Sequence, residues 1–128
     1  MKAVRYFSKL GNTKTIAEAI AEGAGVQAVS ITDEPELAEY TDVLFLGGAP
    51  YANTMAPELK AYAEKLDKSQ VGKARLFTTS NWSRRTVLAL KKLLREKGIA
   101  VADEYFYAHM LNIGGRTEAA KEFGKSMA

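Results

Sequence analysis

From one end of the chain to the other, short apolar runs rich in β-branched and aromatic residues alternate with stretches of helical periodicity. That alternation is the strongest constraint on what such a chain can fold into. Residues 2–7 read as a strand, 12–24 as a helix and 26–31 as a second strand. The unbroken apolar run at 43–47, Val-Leu-Phe-Leu-Gly, reads as a strand covered on both faces. A helix starts near Pro57, a favoured first-turn residue, with Leu59, Tyr62, Ala63 and Leu66 spaced along one face. Residues 75–79 form the next strand. Ser83 is placed to cap a helix that turns Val87, Leu90 and Leu94 inward and Lys91, Lys92 and Arg95 outward, and Gly98 ends it. Residues 99–109 give a last strand, and 117–127 a final helix with Ala120, Phe123 and Met127 on one face. Between the second and third strands, residues 32–42 leave room for a helix of one or two turns.

Strands separated by helices pair in parallel through right-handed crossovers, which gives a three-layer α/β/α sandwich. A chain of 128 residues suits one domain with a respectable core, and no repeat, linker or low-complexity tract divides it. The expectation is a single domain over residues 1–128. No apolar run approaches the ~20 residues needed to cross a bilayer, and Met1-Lys2 leads straight into a strand without a signal-peptide pattern. Zero cysteines exclude a disulfide scaffold, a thiol nucleophile and a thiolate metal site. With only one histidine as well, a transition-metal centre is not expected. A cytoplasmic protein is the default expectation.

The net charge of +3 is unevenly spread. Residues 1–67 carry 6 Lys/Arg against 10 Asp/Glu, a balance of −4; residues 68–128 carry 12 against 5, a balance of +7. A solvated basic face accounts for this, and no nucleic-acid motif or aromatic-interleaved stripe accompanies the charge. No nucleic-acid partner and no membrane partner is expected.

In sheets of this kind ligands sit beyond the carboxyl ends of the strands, at the point where strand order reverses. Beyond the first strand stands Ser8-Lys9-Leu10-Gly11-Asn12-Thr13-Lys14-Thr15, a hydroxyl-rich turn running directly into a helix. The first amides of a helix lack internal acceptors and the helix dipole favours negative charge there, so such a turn can grip a phosphate. An ordinary turn capped by Asn12 or Thr13 is the alternative. Beyond the third strand comes Gly47-Gly48-Ala49-Pro50-Tyr51-Ala52-Asn53-Thr54, and beyond the fourth Thr78-Thr79-Ser80-Asn81-Trp82-Ser83. Together they offer one anion cradle and two aromatic walls for a flat ring.

Other α/β chemistries fall away residue by residue. The GxxxxGK phosphate loop is missing, GxGxxG is absent from the first turn, and no cysteine serves a phosphatase. Gly47-Gly48 stand where a receiver domain needs an aspartate, and no GxSxG elbow occurs. His109, at the end of the last strand, reads as a structural or surface residue.

The chain resembles the flavodoxins and their short-chain FMN-binding relatives. Their phosphate loop reads as hydroxyl residue, any residue, hydroxyl residue, then G-N-T; here it stands as Ser8-Lys9-Leu10-Gly11-Asn12-Thr13, followed by Ile16-Ala17. The segment Gly48-Ala49-Pro50-Tyr51-Ala52-Asn53 is similar to the family's second loop, and Gly115-Arg116-Thr117 to the opening of its last helix. The resemblance implies a five-stranded parallel sheet in the order 2-1-3-4-5 and FMN as cofactor. It implies that Ser8, Gly11, Asn12, Thr13 and Thr15 hold the phosphate, with Leu10 standing where a hydroxyl is usual. Tyr51 and Trp82 would stack on the isoalloxazine. Pro50, Ala52, Asn53, Thr54, Thr79, Ser80 and Asn81 would surround the ring and its pyrimidine edge, and Asn53 stands near the family's glycine whose peptide flips towards the reduced ring.

The function so implied is electron transfer through a non-covalent flavin, without a catalytic acid or base. An FMN-dependent NAD(P)H or quinone reductase of the same fold is an alternative, and an interaction domain that has lost FMN is another. Two stacked aromatics would block a second ring and favour the carrier. Arg84 and Arg85 beyond the third loop imply a reduction potential less negative than in acidic relatives. The basic half implies a protein redox partner with an acidic docking surface, and nothing demands more than a monomer.

Overall fold

The computed structural model describes residues 1–126. Strand β1 (Lys2–Phe7) leads to helix α1 (Asn12–Ala24), then β2 (Ala28–Ser30) and the long buried β3 (Thr41–Gly48). A small hairpin of β4 (Pro50–Tyr51) and β5 (Thr54–Met55) precedes α2 (Pro57–Lys65). The chain closes with β6 (Val71–Ser80), α3 (Arg85–Glu96), β7 (Phe106–His109), a 3-10 turn over Gly114–Arg116 and α4 (Thr117–Lys125). The five long-range strands form one parallel sheet in the order β2-β1-β3-β6-β7. With the hairpin set aside, this is the expected 2-1-3-4-5 sandwich.

The period-two alternation of the central strands divides the core. Leu44, Leu46 and Leu76 face α2 and α3 with Leu59, Tyr62, Val87, Leu90 and Leu94. Val43, Phe45 and Phe77 face α1 and α4 with Ile16, Ile20, Ala120 and Phe123. Because both faces of β3 and β6 are covered, those strands read as continuous apolar runs.

On the second face the helices approach backbone to backbone. A Cβ on Gly23 would lie 1.9 Å from the carbonyl oxygen of Lys121, and one on Gly124 would lie 2.0 Å from that of Ile20. Beside this contact Arg75 is almost fully buried, 1% exposed. Its guanidinium lies 4.0 Å from the centre of the Phe123 ring and donates to the carbonyls of Phe123 (2.8 Å) and Ser126 (2.9 Å). Burial pushes its pKa below the usual arginine value, and the negative end of the α4 dipole offsets part of that cost.

Several boundaries differ from the sequence reading. Helix α1 is preceded by Gly11 at φ 94°, so neither Asn12 nor Thr13 caps it. The left-handed backbone there is one that glycine adopts without steric cost. Residues 32–40 form turns and bends rather than a short helix, since Thr41 must already join the sheet beside Val71. The second strand shrinks to Ala28–Ser30, whereas the third and fourth lengthen to Thr41–Gly48 and Val71–Ser80. Arg84, not Ser83, holds the capping position of α3, although the Ser83 hydroxyl still accepts the Arg85 amide at 3.3 Å.

The last strand spans Phe106–His109 alone, with a single bridge from Val101 to Ala74 before it. Asp103 between them turns out to solvent, where Arg95 pairs with it at 2.7 Å and holds its carboxyl below the usual range. Met127, placed on the final helix face by periodicity, lies outside the described residues.

The Gly124 contact generates a test. Gly124→Ala should lower unfolding free energy by about 1–3 kcal/mol through overpacking. A denaturant midpoint equal to that of the parent would show that the helices can part at no cost.

Candidate functional site

The parallel registers align the carboxyl ends of four strands. Phe7 pairs with Gly48, Gly47 with Phe77 and Ser80 with His109, so the turns that follow emerge along one edge. The order reverses between β1 and β3. There a cleft of about 280 Å³ opens, walled by Ser8, Leu10, Asn12 and Thr13 from the first turn and by Pro50, Tyr51 and Asn53 from the hairpin. Thr79, Ser80 and Asn81 complete it from the end of β6. Three further lining residues, Ala49, Ser83 and Met110, are not among the site residues expected from sequence. Ala49 and Ser83 lie within the loops already identified. Met110 follows β7, whose end carries no glycine or hydroxyl signal.

At the first corner the Ser8 hydroxyl oxygen accepts the Gly11 amide at 3.0 Å, which leaves its own hydrogen uncommitted. The first intrahelical bond runs from the Thr15 amide to the Gly11 carbonyl at 3.1 Å. The amides of Asn12, Thr13 and Lys14 therefore have no acceptor among the described residues. A Cβ built on Gly11 would meet nothing within 4 Å, so the approach to these amides is open. Thr13 and Thr79, both buried, share a hydrogen bond at 2.7 Å between their hydroxyls; only one hydrogen is used, and one remains to donate. This donor set fits a phosphate. Thr15 instead turns its hydroxyl back onto the Gly11 carbonyl at 3.1 Å and does not line the cleft. Leu10 does line it, 81% exposed, where a hydroxyl would add another donor.

Tyr51 is both wall and anchor. Its hydroxyl oxygen accepts the Lys9 amide at 2.8 Å, its ring meets Phe7 edge-on at 6.1 Å, and the Lys9 ammonium lies 4.7 Å from its centre. Across the hairpin Tyr51 pairs with Thr54, leaving Ala52 and Asn53 as a two-residue turn with φ of 52° and 59°. Two successive positive φ values match the twist of the flanking strands. Asn accepts this conformation readily; Ala does so at a cost. Ala52 and Thr54 do not line the cleft.

Trp82 is placed otherwise than a ring wall would require. It is 72% exposed at φ 72° and does not line the cleft. Its amide donates to the Tyr107 hydroxyl at 2.8 Å, and the two rings stack with planes 22° apart. The Tyr107 hydroxyl in turn donates to the Ser80 carbonyl at 3.0 Å. Arg84 lies 3.6 Å from the centre of the Tyr107 ring, and its buried Nη1 has no hydrogen-bond acceptor among the described residues. Ser80 spends its own hydroxyl on the Ser83 carbonyl at 2.6 Å. This loop is therefore held by its own polar groups, with Asn81 left facing the cleft.

Among the described residues no group of acidic or histidine side chains could hold a metal, and no helix is long and apolar enough to cross a membrane. A family model for the flavodoxin domain matches residues 3–106. No curated protein sequence matches the chain. Among solved structures, a flavodoxin from the domain Archaea superposes with a TM-score of 0.77 at 22% identity, over 98% of this chain and 94% of that one. An NADH:FMN oxidoreductase in its apo form gives 0.63 at 16% identity, over 100% and 92%. A flavodiiron core from Synechocystis gives 0.67 at 19% identity; it covers 98% of this chain but only 35% of its own, so the likeness is to one part of that protein.

The hairpin turn generates a second test. Ala52→Gly removes a side chain from a left-handed position and should raise stability by up to about 1 kcal/mol, net of the greater entropy of glycine in the unfolded chain. The urea midpoint measures it.

Proposed function

Because the chain belongs to the flavodoxin domain family, we propose that it is a small electron carrier built around one FMN. Flavin binding for electron transfer is the work of this family, and its cofactor is FMN. The observation that carries the carrier reading is the convergence of the open α1 amides, the Ser8 hydroxyl and the Tyr51 wall on one cleft at the sheet's switch point.

FMN, when bound, supplies the redox-active ring. The chain's own residues bind, orient and shield it. The amides of Asn12, Thr13 and Lys14, with Ser8 and the Thr13–Thr79 pair, take the phosphate. Several charge-assisted hydrogen bonds outweigh one aromatic contact of ~0.5–1.5 kcal/mol, so the first corner sets most of the affinity. Tyr51 excludes water from one side, and Asn53, Ser80 and Asn81 stand around the ring's polar edge.

Leu10, Trp82 and Leu111 are exposed, with Lys9, Lys14 and Arg85 nearby in the chain, a combination suited to an acidic redox protein. A monomer suffices for this chemistry.

The reductase reading also has an observation in its favour. Trp82 rests on Tyr107 rather than over the cleft, which leaves one side open to a second substrate ring. The two readings part in a simple assay. A carrier loaded with FMN reduces a quinone with NADH no faster than free FMN does, and a rate well above that level would replace the carrier with the reductase.

The cofactor role of the first corner has its own test. Leu10→Thr supplies the missing hydroxyl, and a hydrogen bond to a charged group corresponds to about a tenfold tightening or more of FMN binding. Fluorescence titration with FMN reads it, and unchanged or weaker affinity would remove position 10 from the phosphate site.

A further inference from the structure

The loop after β6 holds the only tryptophan of the chain against its only histidine. The rings of Trp82 and His109 meet edge to face with centres 4.6 Å apart. His109 is engaged at both ring nitrogens. Nδ1 accepts the Leu111 amide at 3.1 Å. A backbone N–H can only donate, so Nδ1 carries no proton and the neutral ring carries its proton on Nε2. Nε2 lies 2.9 Å from Oδ1 of Asn81, and the network thereby settles the orientation of that carboxamide. The Asn81 NH2 group has no partner among the described residues, and Asn81 lines the cleft.

We propose that His109 is a positioning residue that orients Asn81 so that its NH2 group donates to a carbonyl oxygen on the pyrimidine edge of the flavin. The proposal rests on the FMN reading above. It adds a residue outside the cleft wall.

The turn that follows His109 carries Met110, another lining residue, whose amide donates to the Ser80 carbonyl at 2.9 Å.

The test is FMN titration of the FMN-free chain, with His109→Ala and His109→Gln beside the parent. His109→Ala should bind FMN about 3- to 10-fold more weakly. His109→Gln keeps an N–H for Asn81 and should stay within about 2-fold of the parent.

Equal binding by His109→Ala and the parent would overturn the proposal, as would binding by His109→Gln as weak as that by His109→Ala. A parent chain that binds no FMN would overturn the functional reading, and this proposal with it.

Discussion

The pairing of β1 with β3 places Phe7 beside Gly48, and every loop of the candidate site takes its position from that register. Parallel strands end together. Once β1, β3 and β6 are aligned, the phosphate corner, the hairpin and the Ser80–Ser83 turn must emerge side by side along one edge. The reversal of strand order between β1 and β3 then keeps helices α1 and α2 on opposite faces, and the gap between their starts is the cleft. A slip of one residue would send the apolar side chains of a strand to the wrong face, so burial on both sides enforces the register.

The two halves of the cleft are organised by different physics. The first corner is unsatisfied: three amides and uncommitted hydroxyl hydrogens face outward and call for an anion. The loop after β6 is largely self-satisfied, with Ser80, Tyr107, Trp82, Arg84 and His109 bonded or stacked on one another. The first offers open donors, and the second offers a fixed shape. The hairpin between them stores strain at Ala52, held by its pairing and by the Tyr51 hydroxyl on the Lys9 amide.

Much of this was legible residue by residue. The α1 boundaries and the inward faces of α2 and α3 follow from apolar spacing, because a helix buries whichever stripe is apolar. The phosphate corner was legible because its chemistry is local: Ser8, Gly11 and the first helical amides are neighbours in sequence. The resting place of Trp82 was not legible, for the opposite reason. A large aromatic in a loop can stack on a ligand or on a neighbour, and Tyr107, 25 residues later, decides between them. The interruption of the final strand, where Asp103 pairs with Arg95 at the surface, likewise follows from no local pattern.

By itself the sequence determined the layer order, the parallel sheet, the two apolar faces of each central strand and the hydroxyl-rich corner that opens α1. All of these rest on periodicity or on contiguous residues. Only tertiary structure decided which side chains meet across the sheet edge: His109 with Asn81, Arg84 with Tyr107, and Arg75 with the end of α4. Those contacts join residues far apart in the chain. Their geometry is set by strand register and helix packing, which no local pattern encodes.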